Sequence, residues 1–543
     1  MISRSKIDRL LPILKKDLRR TMKMHLAGFP KPYYASFLLR DINWFNTWAG
    51  SGSVYRKRSD HTRNVLCDIR VGSYKYDQVM QGGLNDNDDE LESYQHVSMP
   101  IDDKDYGGLR IALWRLTDAK YREAIADYAA RKSQSISTVD VNKKFHSFKK
   151  LPPVKSIKYV KREHVDEDKW TDFCRRASDW LADLPGLTSA WVEFDITQTT
   201  KIFVSTENRT IVQQFQVCSL IATIRKLTKS GANLEQELVM NVGSQSELPS
   251  MHQFRKLMKE KYNQLQKSSK AKKINSFSGP VLLYPIPAGV LIHEAVGHRL
   301  EGSRLLSSYE GQTFKDKYGD SIVKIPLTVK DNPRLKKFNN QSCIGSFDFD
   351  DEGAQASDAL LVKDGKLVDF LSTRAQNKKK KFEPNGHARS QKHARAISRM
   401  GVTIIDSNSE HSIEELRAML LDEIKKQDKP CGMIIYETAG GETATTSYDF
   451  QAFAGEIAFA TLLYPNGKEV PIRGVNFVGT PLQALNNVIA ASDEQELFNS
   501  YCGAESGFIP ISTIAPALLL RNLELQNKSE ELVTQYILPK PKI

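Results

Sequence analysis

Gly289-Val290-Leu291-Ile292-His293-Glu294-Ala295-Val296-Gly297-His298-Arg299-Leu300-Glu301-Gly302 is the stretch around which the rest of the chain is read. Its entry side is apolar and rich in good helix formers. Pro285 and Pro287 stand just before it, where a helix can start, and Gly302 stands where one can stop. The predicted helix carries two imidazoles, with a carboxylate beside the first. Imidazole nitrogen suits zinc and related metals, and an adjacent carboxylate can take the proton of a metal-bound water.

The spacing sets a geometric problem. In the common HExxH helix the two histidines lie at i and i+4, on one face. Here they lie at i and i+5. At 3.6 residues per turn, side chains five apart point roughly 140° away from each other. Both reach one metal only if the helix is distorted between them. A π-bulge is the expected distortion, with Gly297 as the residue whose backbone yields most easily. The pattern alone leaves open that His293 and His298 are unrelated helix residues. Against that, Glu294 in an apolar run is costly to bury without a partner.

A chain of 543 residues is long enough for two or more domains, each with its own core. Its formal charge of +12 comes from 77 basic and 65 acidic residues. That balance allows an anionic partner without requiring one. The six cysteines, at 67, 174, 218, 343, 431 and 502, are scattered, with no CxxC pair. This favours a reduced, cytoplasmic protein. The first residues contain no unbroken apolar core, so no secretory signal is read there. No apolar run is long enough for a transmembrane helix, and no membrane partner is expected.

Taken in order, residues 1–28 read as an amphipathic helix with Ile7, Leu10, Leu11, Leu14 and Leu18 inward. Core packing is the favoured use of that face, ahead of a membrane surface. Lys31–Arg40 and Val65–Val71 read as strands. Asn85–Glu92 reads as a solvated acidic loop. A helix is predicted over Leu109–Lys132, a connection over 133–162 and a helix over 166–184. Strands follow at 190–196, 201–206, 209–215 and 217–224, with Glu207-Asn208 as a hairpin turn. A helix over 250–266 leads to the basic, exposed piece Lys267–Lys273, where the domain boundary is placed. The expected organisation is an N-terminal α+β domain, residues 1–275, and a β-rich C-terminal domain, residues 276–543, that carries the metal-binding helix; the fold class is α+β.

In the second domain, Gly279–Tyr284 is a strand that runs into the histidine helix. Asp348–Gly353 is an acidic turn, and Leu360–Phe370 is a hairpin about Asp364-Gly365. Ser412 and Glu415 form a capping box for a helix ending near Lys425. Strands are expected at 433–437, 456–463, 469–477 and 517–525, with a short helix at 482–491. The segment 374–399 is strongly basic, with Lys378–Lys381 in a row and His387 and His393 nearby. It is read first as a solvated loop, then as a site for acidic peptides or nucleic acid. It lacks interleaved aromatics, so nucleic acid is not an expected partner.

The segment His293–Gly302 resembles the signature of the TldD/PmbA family of metalloproteases, on the TldD side. The likeness continues in Asp350-Asp351-Glu352-Gly353, in Ala439-Gly440-Gly441-Glu442-Thr443 through Tyr448-Asp449-Phe450, in Asn466-Gly467 with Pro471–Gly474, and in Cys502-Gly503 with Pro510 and Pro516. Arg70-Val71-Gly72 and Leu113–Asp118 match more loosely. The resemblance implies a zinc peptidase of the HExxxH type, with one zinc per chain. It implies His293, His298 and Cys502 as metal ligands and Glu294 as the catalytic base. Among other donors Glu301 ranks second to Cys502 for the third position, and His387 and His393 rank third. Cys343 and Cys431 are read as structural.

The expected substrate is a small unfolded or extended peptide, bound by residues that the sequence does not identify. The alternative is a non-catalytic peptide-binding or assembly subunit. The resemblance also implies a dimer, either of this chain with itself or with a paralogue that lacks the motif.

Overall fold

The computed structural model describes residues 1–79, 99–101, 105–137, 146–160, 163–307, 310, 313–377, 382–391, 395–408, 411–445, 452–530 and 532–538. Asn85–Glu92, Lys378–Lys381, His393 and Tyr448-Asp449-Phe450 lie outside the described residues.

Two long antiparallel hairpins make the first sheet. Pro32–Gly50 pairs with Ser53–Val71, and Ser189–Ser205 pairs with Arg209–Leu227. Asn233–Val242 pairs antiparallel with Arg209–Leu227, and Val154–Ile157 pairs parallel with it, giving six strands. The sequence reading broke these ribbons in two. It took Thr197-Gln198-Thr199-Thr200 as a gap between strands, although β-branched threonine suits a pleated surface. In the structure Gln198 donates to Gln216, and Thr200 accepts from Gln214, so the polar residues are satisfied without leaving the ladder. Val154–Ile157, inside the expected connection, and Asn233–Val242 were not foreseen.

Strand Ser189–Ser205 buries every second residue as far as Ile202, after which both faces are covered. On the continuously covered face lie four helices. Arg4–Thr21 and Gly107–Ser137 pack over one end of the strands, against Phe37, Leu39, Ile69 and Val204. Glu167–Ala182 and Met251–Lys270 pack over the other, against Phe194, Leu220 and Ile224. The amphipathic first helix thus turns its apolar stripe to this core. The basic piece after residue 266 is not a free connection. Helix Met251–Lys270 runs into it, and Lys272-Lys273 pairs parallel with Ile472-Arg473 of the second sheet. No described helix is long and apolar enough to cross a membrane.

The second sheet has twelve strands, and part of it closes into a barrel. The ring runs from Gly507–Asn527 to Ser276–Leu283, Gly432–Thr443, Phe453–Leu463 and Val475–Gly479. The last of these pairs back onto Gly507–Asn527. Side-chain alternation divides inside from outside. Val281, Leu283, Met433 and Ile435 point into a core shared with Val290, Leu291 and Ala295. Leu282 and Ile434 point outward under Leu416, Leu420 and Ile424 of helix Ile413–Lys426, whose Ser412–Glu415 capping box forms as read. The fold is α+β.

The uncovered end of the first sheet receives the acidic turn of the second. Phe349 packs on Leu38, Leu66, Phe203 and Ile211. Gly353 has φ +77°, and a Cβ there would stand 2.4 Å from the Phe203 ring, so glycine is required twice over. Asp351 accepts from Arg40 at 3.1 Å and Lys201 at 2.6 Å, and its backbone neighbour Ser390 donates to it at 2.9 Å. Arg374 lies across the same seam, bidentate to Glu207 at 2.7 and 2.8 Å. This corrects the reading of 374–399 as a solvated loop: Arg374, His387, Arg389 and Arg399 are all buried.

Burial pushes the Asp351 carboxyl up, but Lys201 and Arg40 outweigh it and hold the group down at about 2. Burial also pulls Lys201 below its ordinary value. The carboxylate governs the balance, since it faces two cations and a backbone N–H. A carboxyl depressed on folding adds stability above its unfolded pKa near 3.9, which is lost as pH falls through the folded value. Asp351→Asn is therefore expected to cost about 2 kcal/mol or more at pH 7. The urea midpoints of variant and wild type should converge between about pH 4 and pH 2.

Candidate metal centre

The motif helix spans Pro285–Ala295, with proline at its first turn, and every residue from Pro287 to Ala295 is buried. A helix apolar all round belongs inside a core, and the barrel supplies one. The expected π-bulge does not form. The helix stops at Ala295, Val296 leaves helical geometry at φ −118° and ψ −52°, and Gly297–Leu300 tightens into a 3₁₀ turn. Arg299 N and Leu300 N both donate to Val296 O, at 3.0 and 3.1 Å. Across this break the rings of His293 and His298 come together. The two ring centroids are 4.9 Å apart, with planes at 85°. Gly297 serves this turn by close packing. A Cβ there would lie 2.3 Å from the Met400 sulfur.

The third donor comes from far along the chain. Cys502 sits in strand Val488–Ala504, opposite Ile509 in a hairpin with Gly507–Asn527. Its Sγ is 3.3 Å from His293 Nε2 and 3.3 Å from His298 Nε2. All three donor atoms lie within 4.8 Å of one another, and all three residues are buried. Zinc–sulfur and zinc–nitrogen bonds of ordinary length, set at tetrahedral angles, place nitrogen and sulfur roughly 3.5 Å apart. The donor set therefore fits that metal in chemistry and spacing. His293 Nδ1 is buried without a hydrogen-bond partner.

The charges around the donors are mutually supporting. Burial alone pushes the Cys502 thiol up, but His298 and His293 pull it well below the usual range. Burial alone lowers His298, and Cys502 and Glu301 raise it to about 10. Glu301 is fully buried. Burial raises it, and His298, Arg304 and Arg399 bring it down to about 2. Its Oε1 is 3.3 Å from His298 Nδ1, and its Oε2 accepts from Arg304 Nε at 2.9 Å. Glu301 thus faces the outer nitrogen of His298 and is not placed as the third donor. His387 spends its nitrogens on Asp331, at 3.2 Å, and on Asn385, and is likewise not part of the cluster.

Glu294 is buried beside the donors, with Oε2 4.0 Å from His298 Nε2. Strand Gly432–Thr443 lies directly on it. A Cβ at Gly441 would stand 2.8 Å from both Glu294 Cγ and Val290 Cγ1. Arg299 ties this strand to the helix, donating to Glu294 O at 2.7 Å, Thr443 Oγ1 at 2.9 Å and Ala444 O at 3.2 Å. A cavity of about 640 Å³ opens above the cluster, walled by Ala439–Thr443 on one side and by Ser500–Glu505 on the other. Arg299, Arg304 and Arg399 were not singled out in the sequence. The first two flank the motif closely enough to have been suspected, whereas Arg399 was hidden in a basic run.

Residues 276–527 match the family described as the PmbA/TldA metallopeptidase C-terminal domain. Over those residues the chain is similar to the TldD/PmbA family. A metalloprotease of Archaeoglobus fulgidus is 34% identical over 238 residues, which is 43% of this chain and 50% of that one. A zinc metalloprotease TldD homolog of Saccharolobus solfataricus is 23% identical over 364 residues, covering 66% of this chain and 76% of that one. The chain spans about half the length of the first curated relatives it matches. The crystal structure of TldE from Thermococcus kodakarensis shares the fold, with a TM-score of 0.60 at 13% identity over 96% of this chain and all of that one (100%). The segment that resembles the family signature, His293–Gly302, spans the break between helix and 3₁₀ turn.

That break is open to a direct test. Gly297→Ala forces a methyl against Met400, and the overpacking is expected to cost about 1–3 kcal/mol. The denaturant midpoint should fall accordingly, and a midpoint equal to that of wild type would show that the turn tolerates a side chain.

Proposed function

We propose that this protein is a zinc metallopeptidase that hydrolyses small unfolded or extended peptides. The convergence of His293, His298 and Cys502 beside Glu294, at the floor of an open cavity, carries this reading. Two imidazoles and a thiolate would hold one zinc and leave one position open, as catalytic sites do. Bound there, zinc supplies water activation and polarisation of a peptide carbonyl.

The chain's own residues supply the rest. Glu294 sits within reach of the donors and takes the proton of the attacking water, then returns it to the departing amine. Val290 and the strand at Gly441 pack against that side chain and hold it at the wall of the cavity. On the strand above it, Met433–Ile435 pairs on both edges, with Ser276–Leu283 on one and Phe453–Leu463 on the other. From Glu437 to Thr443 it pairs, among the described residues, with Phe453–Leu463 alone. An extended peptide added to that open edge would present its main chain to Glu294 and gain affinity from backbone hydrogen bonds. This mode of binding selects unstructured segments over folded proteins. A dimer, with a second copy or with a paralogue lacking the motif, and a reducing cytoplasmic setting complete the reading. The free thiols of the described cysteines suit such a compartment.

Metal content and cleavage test the proposal separately. Wild type is expected to hold one zinc per chain by elemental analysis, and Cys502→Ala to lose it. Glu294→Gln should keep the metal and cut a pool of unstructured peptides at least about 100-fold more slowly. Metal retained by both variants, with no cleavage by wild type, would favour a binding subunit.

Metal uptake should also release protons. His298 is raised to about 10 and must be neutral to ligate, so affinity is expected to weaken as pH falls. Calorimetry in buffers of different ionisation enthalpy measures the protons released, and a count of zero would overturn the pairing of His298 with Cys502.

A further inference from the structure

We propose that Arg399 is the positioning residue of this centre, holding Cys502 directly and His298 through Glu301 in the geometry a metal requires. The inference rests on the metal-binding reading above and assigns a role to a residue outside the donor set.

Arg399 is completely buried, yet its whole guanidinium is turned to the site. Nη2 donates to Cys502 Sγ at 3.2 Å and to Cys502 O at 2.7 Å. Nη1 donates to Ser506 Oγ at 3.0 Å and to Gly507 O at 3.1 Å, in the turn that follows Cys502. Nε lies 3.4 Å from Glu301 Oε1, the oxygen that stands 3.3 Å from His298 Nδ1. One planar cation therefore spans two ligands that are 204 residues apart in the chain. The two terminal nitrogens of the fork hydrogen-bond the sulfur and the hairpin turn, while Nε faces the carboxylate as an ion pair.

The arginine is itself anchored to the motif. Arg399 N donates to His387 O at 3.0 Å. Its neighbour Ser398 accepts from Ser303 N at 2.8 Å through Oγ, and Ser398 N donates to Ser303 Oγ at 3.0 Å. The segment 397–399 is thus clamped to the residues just after Glu301.

Two consequences follow for a bound metal. Partners behind the ligands fix ring and sulfur orientation, and their loss typically costs 10- to 100-fold in metal affinity. A hydrogen bond to a thiolate also withdraws electron density from sulfur, which leaves the metal a stronger acid toward water. Burial alone does not mark a residue for this role. Arg374 is equally buried, but it serves Glu207 and the seam between the sheets.

The test uses Arg399→Lys, with Arg374→Met as a control for loss of a buried arginine. Zinc affinity is read by competition with a chromophoric chelator, and cobalt(II) replaces zinc for spectroscopy. Arg399→Lys is expected to bind zinc roughly 10- to 100-fold more weakly. Its thiolate-to-cobalt charge-transfer band should move to lower energy, because the sulfur has lost its N–H donor. Arg374→Met should leave both readings at the wild-type value. Wild-type affinity and an unmoved band in folded Arg399→Lys would overturn the inference. If that variant does not fold, Glu301→Gln is read in the same way, and unchanged zinc affinity there overturns it. Wild type that binds neither metal would instead sink the metal-binding reading itself.

Discussion

A helix that carries His293 and Glu294, with His298 on the turn that follows it, is buried inside a closed barrel, and that burial governs everything around it. Charged and polar groups removed from water must be matched from within. The match here is an alternating set: Cys502 between two imidazoles, Glu301 behind His298, and Arg304 and Arg399 on Glu301. Burial opposes charge on Cys502, His298 and Glu301, and in each the neighbouring groups outweigh it. Removing one member leaves its partner buried and unpaired, so the cluster stands as a unit.

The barrel and the first sheet depend on each other through a similar device. The turn Asp350–Gly353 brings the Asp351 carboxylate to Arg40 and Lys201 of the first sheet, while Phe349 and Phe203 make the apolar contact. The seam is polar and buried, with Arg374 and Glu207 within it. Ion pairs of this kind add little net stability but require one relative placement of their partners. Arg374 in the seam and Arg399 at Cys502 are both buried, each on its own acceptors.

Local patterns were legible where residues met their partners nearby. The stripe Ile7–Leu18, the Ser412–Glu415 box and the Asp364-Gly365 turn all form as read, because caps, turns and helix faces are decided within a few residues. The long ribbons were cut short in the reading because Gln198, Thr200 and Gln216 look like loop residues until their cross-strand partners are known. The π-bulge was the wrong distortion for a related reason. The structure instead breaks the helix at Val296, and the turn beyond it packs Gly297 against Met400, about a hundred residues away, a contact no local pattern shows.

The basic run 374–399 shows the same limit most plainly. Its charge suggests water, yet Arg374, Arg389 and Arg399 are buried, because acceptors from other parts of the chain wait inside. By itself the sequence determined the chemistry on offer: two imidazoles and a carboxylate on one apolar helix, with a cysteine near the end of the chain. Only the tertiary structure decided which cysteine faces the histidines, which side of His298 Glu301 takes, and which arginine closes the set. Those choices turn on distances of 3–4 Å, two of them between residues about a hundred or more positions apart. Local periodicity carries no information about such distances; barrel closure and sheet docking fix them.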